Sequence, residues 1–472
     1  MNNANEDQPT YVPEMDGGDS IVGKAFMANM LWIPNEFLPY RQVFLRSATV
    51  ISEDPHSGET KEVPLARQEK NHMVVAKHLW SENELIRRIS ALEKYEYPRF
   101  NWESVDFGDK IVPRDAAQKA AWDALDKQSN GVLNLACGKG KTVMALKKIA
   151  SRGVPAIVIV NNSGLIDQWK ERALEFLSLS EDDIGIVQGP KAEWDKPLVL
   201  AMIHTLANRV KDIPISVRQR FGTVVFDEVH HLSAAKFSLT APMFFGNRFG
   251  LTATPNREDG LEDVYYAHIG GVFYSDLKGE LAAEVYFKRL NTTIKDERKI
   301  RDRTGEFSAG KMYKHLGTLK SRNEEIINIA AKALSKGRKL LVLCHSKDHP
   351  AELEKLKVAD PRMNMYTSGV VSGATSGKDR TGIIKDSDVT FATFQVAKEG
   401  LDVSGLDTLI FTTPFKAWGA FQQGKGRIER ISEGKKDPIV VVLDDVNIGP
   451  AHGMCKSLRR KMLANGVGYK DV

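Results

Sequence analysis

Lys141 and Thr142 close the run LACGKGKT (135–142), and they are side-chain types that a polyphosphate and its metal ion need. Gly138 and Gly140 let successive backbone N–H groups turn toward one anion. The apolar run VLNLA precedes them and TVMALKKIA follows, so the loop joins a buried strand to a helix N-terminus. A helix start adds unpaired N–H groups and the positive end of its dipole. Lys141 then meets the β- and γ-phosphates of ATP, Thr142 coordinates Mg2+, and Cys137 and Lys139 complete the cradle. The strict pattern opens on glycine, where this chain has Leu135. A glycine turn before a helix is the bland alternative, and the strand–loop–helix setting disfavours it.

TVVFDEVHH supplies the complementary chemistry. Four apolar residues form a buried strand and two carboxylates stand at its end. Open α/β sheets bind ligands at that edge. Asp227 holds Mg2+ through water, and Glu228 orients or deprotonates the attacking water. His230 sits where it can tie this site to a neighbouring strand. Far downstream, FQQGKGRIER brings Gln423, Arg427 and Arg430. Arginine stabilises the charge that spreads over a transferring phosphoryl group. Arg427 and Arg430, three apart on a helix, share one face. A solvated basic helix is the bland alternative. Upstream, Gln118 in PRDAAQKAAWDAL can hydrogen-bond adenine or be a solvated helix residue.

The ordered set resembles the superfamily 2 helicases over about three quarters of the chain, from Ile111 onward. DEVH is similar to their DEAH-type box. LTAT (251–254) is similar to motif III, which implies that Thr252 and Thr254 link the ATP site to the nucleic-acid groove. NNSGLIDQWKE resembles motif Ia. MIHTLANR resembles the next strand-end contact, with Thr205 as a phosphate donor. LLVLCHS resembles motif IV. ATFQVAKEGLDV resembles motif V, which implies Thr393 on nucleic acid and Gly400 and Asp402 near the nucleotide. FQQGKGRIER resembles motif VI. Within the superfamily, ACGKGKT, Gln168–Trp169, LTATPNREDG and AKEGLDV resemble the xeroderma pigmentosum B type and the phage UvsW-like branch-migration helicases. In the former an Arg-Glu-Asp triplet contributes to unwinding. Here it is Arg257, Glu258 and Asp259, and a charged surface turn is an equal reading.

The resemblance implies a fold of α/β class: two tandem RecA-like doubly wound parallel-sheet domains with a small N-terminal α+β domain. It implies ATP and Mg2+ as cofactors. The partner is single-stranded, forked or branched DNA held without sequence preference, with RNA as the alternative track. Three functions compete: a DNA helicase, an RNA helicase, and a duplex DNA translocase of a restriction or remodelling complex. A scaffold with a dead ATPase is disfavoured by the intact Lys141, Asp227, Glu228, Arg427 and Arg430.

The elements that must position these residues are legible as alternating patterns. GVLNLA, AIVIVN, PLVLAMI, TVVFDE and FGLTAT read as buried parallel strands between amphipathic stretches. KLLVLC, VTFATF, TLIFTTP and PIVVVLDD repeat the pattern. The divisions expected are an acidic disordered tail (1–20), a small α+β accessory, substrate-binding domain (21–110), an ATP-binding domain (111–283) and a C-terminal RecA-like domain (284–472). In the accessory region ENELIRRISALEKY reads as helix and SEDPHSGETKE as a hairpin tip or insertion. Residues 287–322 carry eleven basic residues against four acidic ones, a solvated linker face or a nucleic-acid contact.

The bulk numbers agree with this picture. With 472 residues, 42% hydrophobic and 27% charged, the chain is an ordinary globular protein of several domains. No run of about 18 apolar residues exists to span a membrane, and the N-terminus lacks signal-peptide character. Three scattered cysteines argue against a disulfide framework or a zinc cluster and for a reducing cytosol; the compact chain suits a phage or small bacterial helicase, which implies the cytoplasm of a bacterium or phage-infected cell. The net charge of +5 is compatible with nucleic acid. A monomer is the expected state.

Overall fold

Continuous runs of β-branched and aliphatic residues can be buried on both faces, and here they build two parallel sheets. The computed structural model describes residues 25–27, 29–35, 38, 41–53, 60–70, 72–79, 94–96, 100–255, 259–279, 281–373, 375, 377–398 and 405–472. Two compact units divide the chain: 1–135 with 140–277, and 278–472 with 136–139.

In the first unit a small mixed sheet comes first. Its strands are β1 (Ala25–Met27), β2 (Leu31–Pro34), β5 (Ala66–Gln68), β6 (His72–Val75) and β7 (Lys94–Glu96), ordered β5-β6-β2-β1-β7. Only the β1–β7 pair is parallel. β3 (Thr49–Glu53) and β4 (Thr60–Pro64) form a separate antiparallel hairpin, so SEDPHSGETKE does join paired strands; residues 54–59 lie outside the described residues. The helix expected over ENELIRRISALEKY falls mostly outside them too. Its last two residues, Lys94 and Tyr95, are strand, because β7 pairs with β1. The expected tail, 1–20, is also outside.

The large sheet of this unit follows: β8 (Gly131–Leu135), β9 (Ala156–Val160), β10 (Ile184–Gln188), β11 (Lys191–Ala192), β12 (Leu198–Met202), β13 (Thr223–Phe226), β14 (Asn247–Thr252) and β15 (Val272–Asp276). Their order is β11-β10-β12-β9-β13-β14-β8-β15, and only β11 is antiparallel. β14 therefore lies between β8 and β13. Motif III stands between the phosphate loop and the paired carboxylates at the carboxyl edge.

The N-terminal module is fastened to the flanks of this sheet at both ends of β14. Met30, Trp32 and Val74 pack with Phe245. Val63, Leu65 and Ala76 pack with Leu261, Val264 and Ala267. Arg248, second residue of β14 and 1% exposed, donates to the carbonyls of Asn29, Phe244 and His268. No carboxylate pairs with it among the described residues, and burial lowers its pKa. Ser52 of the hairpin donates to the Asp259 carbonyl at 2.6 Å.

The second unit is one all-parallel sheet. Its strands are β16 (Glu284–Leu290), β17 (Leu340–Cys344), β18 (Ser368–Val371), β19 (Val389–Thr393), β20 (Thr408–Phe411), β21 (Ile439–Asp445) and β22 (Lys470–Asp471). The order is β18-β19-β17-β20-β21-β16-β22. A fully buried ion pair, Arg322 on Asp445 at 2.9 Å, braces the carboxyl end of β21. No helix among the described residues is long and apolar enough to cross a membrane.

Candidate active site

The phosphate loop leaves β8 at Leu135 and enters the helix Lys141–Arg152. Gly138 and Gly140 have φ of 85° and 81°, a region that favours glycine. Gly140 is the N-cap and offers no side chain, so the first N–H groups of the helix are left for an anion. Lys141 Nζ donates to the Leu135 carbonyl at 2.9 Å. Thr142 opens the helix beside it.

Gln118 belongs to this loop's surroundings, not to solvent. It is 6% exposed on the helix Ala116–Asp126, whose N-cap Asp115 accepts its backbone N–H at 2.8 Å. Its Oε1 accepts from the Arg114 N–H at 2.9 Å. A Cβ added to Gly140 would stand 2.6 Å from Gln118 Nε2. Glycine at 140 thus admits the glutamine amide against the loop.

At the end of β13 the two carboxylates differ sharply. Asp227 accepts from the Trp169 Nε1 on Oδ2 at 2.8 Å and from the Glu228 N–H on Oδ1 at 2.9 Å. Burial, then the neighbouring charge of Glu228, push its pKa up to about 6, against the pull of Trp169 and Lys141. Glu228 has φ 48° and ψ 55°, the sole non-glycine with positive φ among the described residues. Such a conformation costs about 1–2 kcal/mol. It turns the chain sharply, so that Glu228 projects beside Asp227 where a strand would carry it to the opposite face. Its Oε2 is buried and makes no hydrogen bond among the described residues; His230 Nδ1 is 3.4 Å away.

His230 also lies 3.3 Å from Thr252 Oγ1 through the same Nδ1. Thr252 Oγ1 in turn accepts the Thr254 N–H at 3.0 Å. A polar chain therefore runs from Glu228 through His230 to Thr252 and Thr254. Thr205 lies apart from it, on the short helix Ile203–Asn208, and accepts the Gly189 N–H at 3.0 Å.

Magnesium suits this donor set. Two carboxylates sit close together, one of them held above its usual pKa by burial first and by the charge of the other second, and a buried Glu228 oxygen has no hydrogen-bond partner among the described residues. A hard divalent cation favours oxygen ligands and relieves that repulsion. A triphosphate suits the uncapped helix start and the glycine turn for the corresponding reason.

In the second unit Thr393 ends β19, with Oγ1 buried and unpartnered among the described residues. Gln423 and Arg427, 9% and 7% exposed, lie on the helix Trp418–Ile428. Arg430 does not share that helix face, as its spacing suggested. The helix stops because Glu429 is drawn aside: its carbonyl accepts the Leu281 N–H at 2.9 Å and its carboxylate accepts the Ala283 N–H at 3.0 Å. Gly400, Asp402, Arg257 and Glu258 lie outside the described residues. Asp259 accepts the Ser52 hydroxyl on its carbonyl and the Leu261 N–H on its carboxylate at 3.3 Å.

Residues 102–257 match the family described as type III restriction enzyme, res subunit, and residues 321–432 match the helicase conserved C-terminal domain. Together the two matches span more than half of the chain and include both sheets' motif-bearing ends. The chain belongs to helicase superfamily 2. Among the curated relatives of this helicase is the DNA 3′-5′ translocase XPB2 of Sulfurisphaera tokodaii, 27% identical over 390 residues, 75% of this chain and 85% of the relative. The putative ATP-dependent RNA helicase L396 of Acanthamoeba polyphaga mimivirus is 23% identical over 81% of this chain and 73% of its own length. Among solved structures, Saccharomyces cerevisiae Dbp5 bound to RNA and ADP BeF3 matches with a TM-score of 0.54 at 12% identity, over 77% of this chain and 90% of that one, a likeness of fold.

One functional contact of this helicase was missed in the sequence. Trp169 stood out only as part of a family signature. Its hydrogen bond to Asp227 joins residues 58 positions apart and has no local pattern.

Proposed function

We propose that this helicase is an ATP-driven motor that moves along DNA, unwinding or branch-migrating it, in recombination, repair or replication. The observation that carries this reading is the continuous set at one sheet edge: Lys141, Asp227 and Glu228, joined through His230 to Thr252 and Thr254. An ATPase needs the first three; the link onward to motif III has use only in an enzyme whose hydrolysis drives something else. The DNA 3′-5′ translocase among its relatives supports DNA as the track.

Lys141, the glycine turn and the helix start bind the triphosphate, and Gln118 lies by the adenine. Thr142 and Asp227 would hold Mg2+, which would neutralise phosphate charge. Glu228 orients the attacking water and takes its proton. Arg427 and Arg430, with Gln423, stabilise charge on the transferring group. Loss of the γ-phosphate removes those interactions, and His230 carries the change to Thr252 and Thr254. Strand-end residues Thr205 and Thr393 grip the phosphodiester backbone, which carries no sequence information. Binding is therefore sequence-independent and weakens with salt. We assign this work to a monomer in the cytoplasm of a bacterium or phage-infected cell.

The test is ATP hydrolysis and strand separation over single-stranded, forked, four-way and duplex DNA and over RNA. DNA should stimulate hydrolysis, and forked or four-way substrates should be resolved. Lys141→Ala should abolish turnover while DNA binding persists. Ordinary turnover in that variant refutes the site. Stimulation by RNA alone refutes the track.

A further inference from the structure

We infer that Trp169 is the positioning residue of the metal-binding carboxylate, holding Asp227 in the orientation that receives the cation. This rests on the nucleotide-site reading above. Trp169 is fully buried at the middle of the helix Ser163–Phe176, which follows β9. A buried indole needs a partner for its single N–H, and here that partner is the Asp227 Oδ2 at 2.8 Å. The other oxygen accepts the Glu228 N–H at 2.9 Å. One donor on each oxygen fixes the plane of the carboxylate and uses one lone pair of each. A second lone pair on each oxygen stays available for the metal's waters.

The chemical nature of the donor matters as much as its place. A lysine or arginine there would fix the carboxylate and also cancel its charge. An indole N–H and a peptide N–H orient it and leave the full negative charge to the cation. Asp227 is the first residue beyond a strand and precedes a strained turn at Glu228, so the strand does not set its side-chain direction. The Trp169 ring, packed in the main core of the unit, supplies a rigid reference. Outer partners of metal ligands commonly contribute about tenfold to a hundredfold in affinity.

The test measures Mn2+ binding by electron paramagnetic resonance, with a non-hydrolysable ATP analogue present, in Trp169→Phe, Asp227→Asn and the double variant. Trp169→Phe should weaken Mn2+ binding about tenfold and leave analogue binding in EDTA unchanged. In the Asp227→Asn background the same change should cost nothing, because the indole acts only through that carboxylate. Equal losses in both backgrounds, or unchanged Mn2+ affinity in Trp169→Phe, overturn the inference. Where phenylalanine destabilises the core, site-specific replacement of the Trp169 indole by benzothiophene keeps the shape and deletes only the donor. The outcomes are read in the same way. Wild-type protein that binds the analogue in EDTA but gains no Mn2+ with it refutes the metal assignment of Asp227 itself.

Discussion

Asp227→Asn should make the nucleotide-free protein more stable while ending its metal-dependent chemistry. The carboxyl rises from 3.8 to about 6 on folding, chiefly through burial. That is about two units, or about 3 kcal/mol, for the ionised group. The direction matters. Between about pH 4 and pH 6 the folded form keeps a proton that the unfolded form has released, so stability falls as pH climbs through that window and then levels off. Asparagine escapes this cost but introduces an NH2 group. Trp169 Nε1 and the Glu228 N–H both donate to the present carboxylate, so one of them would face another donor. That loss is about 1–2 kcal/mol. The net gain above about pH 7 is therefore about 1–2 kcal/mol, or about 2–8 °C in melting temperature for a unit of this size. Near pH 4 most of the charge cost is gone, the amide cost remains, and the variant should melt below the wild type. Thermal unfolding in EDTA at about pH 4 and about pH 8 reads both signs. Mg2+ with a non-hydrolysable nucleotide should restore the wild type's advantage, since the cation compensates the carboxylate it binds. A variant less stable than wild type at the higher pH, or a gap that does not change with pH, would refute the reasoning.

Two further outcomes follow from particular contacts. Gly140→Ala meets a φ of 81° and a Gln118 amide 2.6 Å from the new methyl. The strain is about 1–2 kcal/mol; titration calorimetry should show nucleotide affinity falling about tenfold or more, and wild-type affinity would show that Gln118 does not need the glycine. Thr252→Val removes the acceptor of the Thr254 N–H and the neighbour of His230, at about 1–2 kcal/mol of stability. Strand separation per ATP consumed should drop more than hydrolysis itself, and equal losses of both would break the proposed link.

The motif-bearing strands were legible because burial on both faces leaves a continuous apolar run, as in β9 and β17. Their neighbours were not. β16, EVYFKRL, mixes apolar with charged residues without a clean period and reads as part of the basic segment after it. β10 carries a glycine and β18 is only SGVV, so neither reaches a clear pattern. At the site, Lys141, Asp227 and Glu228 were legible because loop and strand end place them. Gln118 remained ambiguous, since only tertiary packing distinguishes a buried amide from a solvated one. Arg430 was placed on a helix by spacing alone; the acceptors on Glu429 that end the helix bind residues well over a hundred positions away. Trp169 escaped for the same reason.

The fastening of the N-terminal module has a consequence for how the protein can be divided. A domain tethered by a linker can be exchanged or discarded as a unit. This one seals Arg248 at one end of the motif III strand and covers Leu261, Val264 and Ala267 just beyond the other. Its removal would leave a cation without one of its three carbonyl acceptors and open an apolar face to water. The module and the ATPase sheet therefore share their stability: a change in the module that loosens its hold on Arg248 or on the Leu261–Ala267 face is felt at β14 itself.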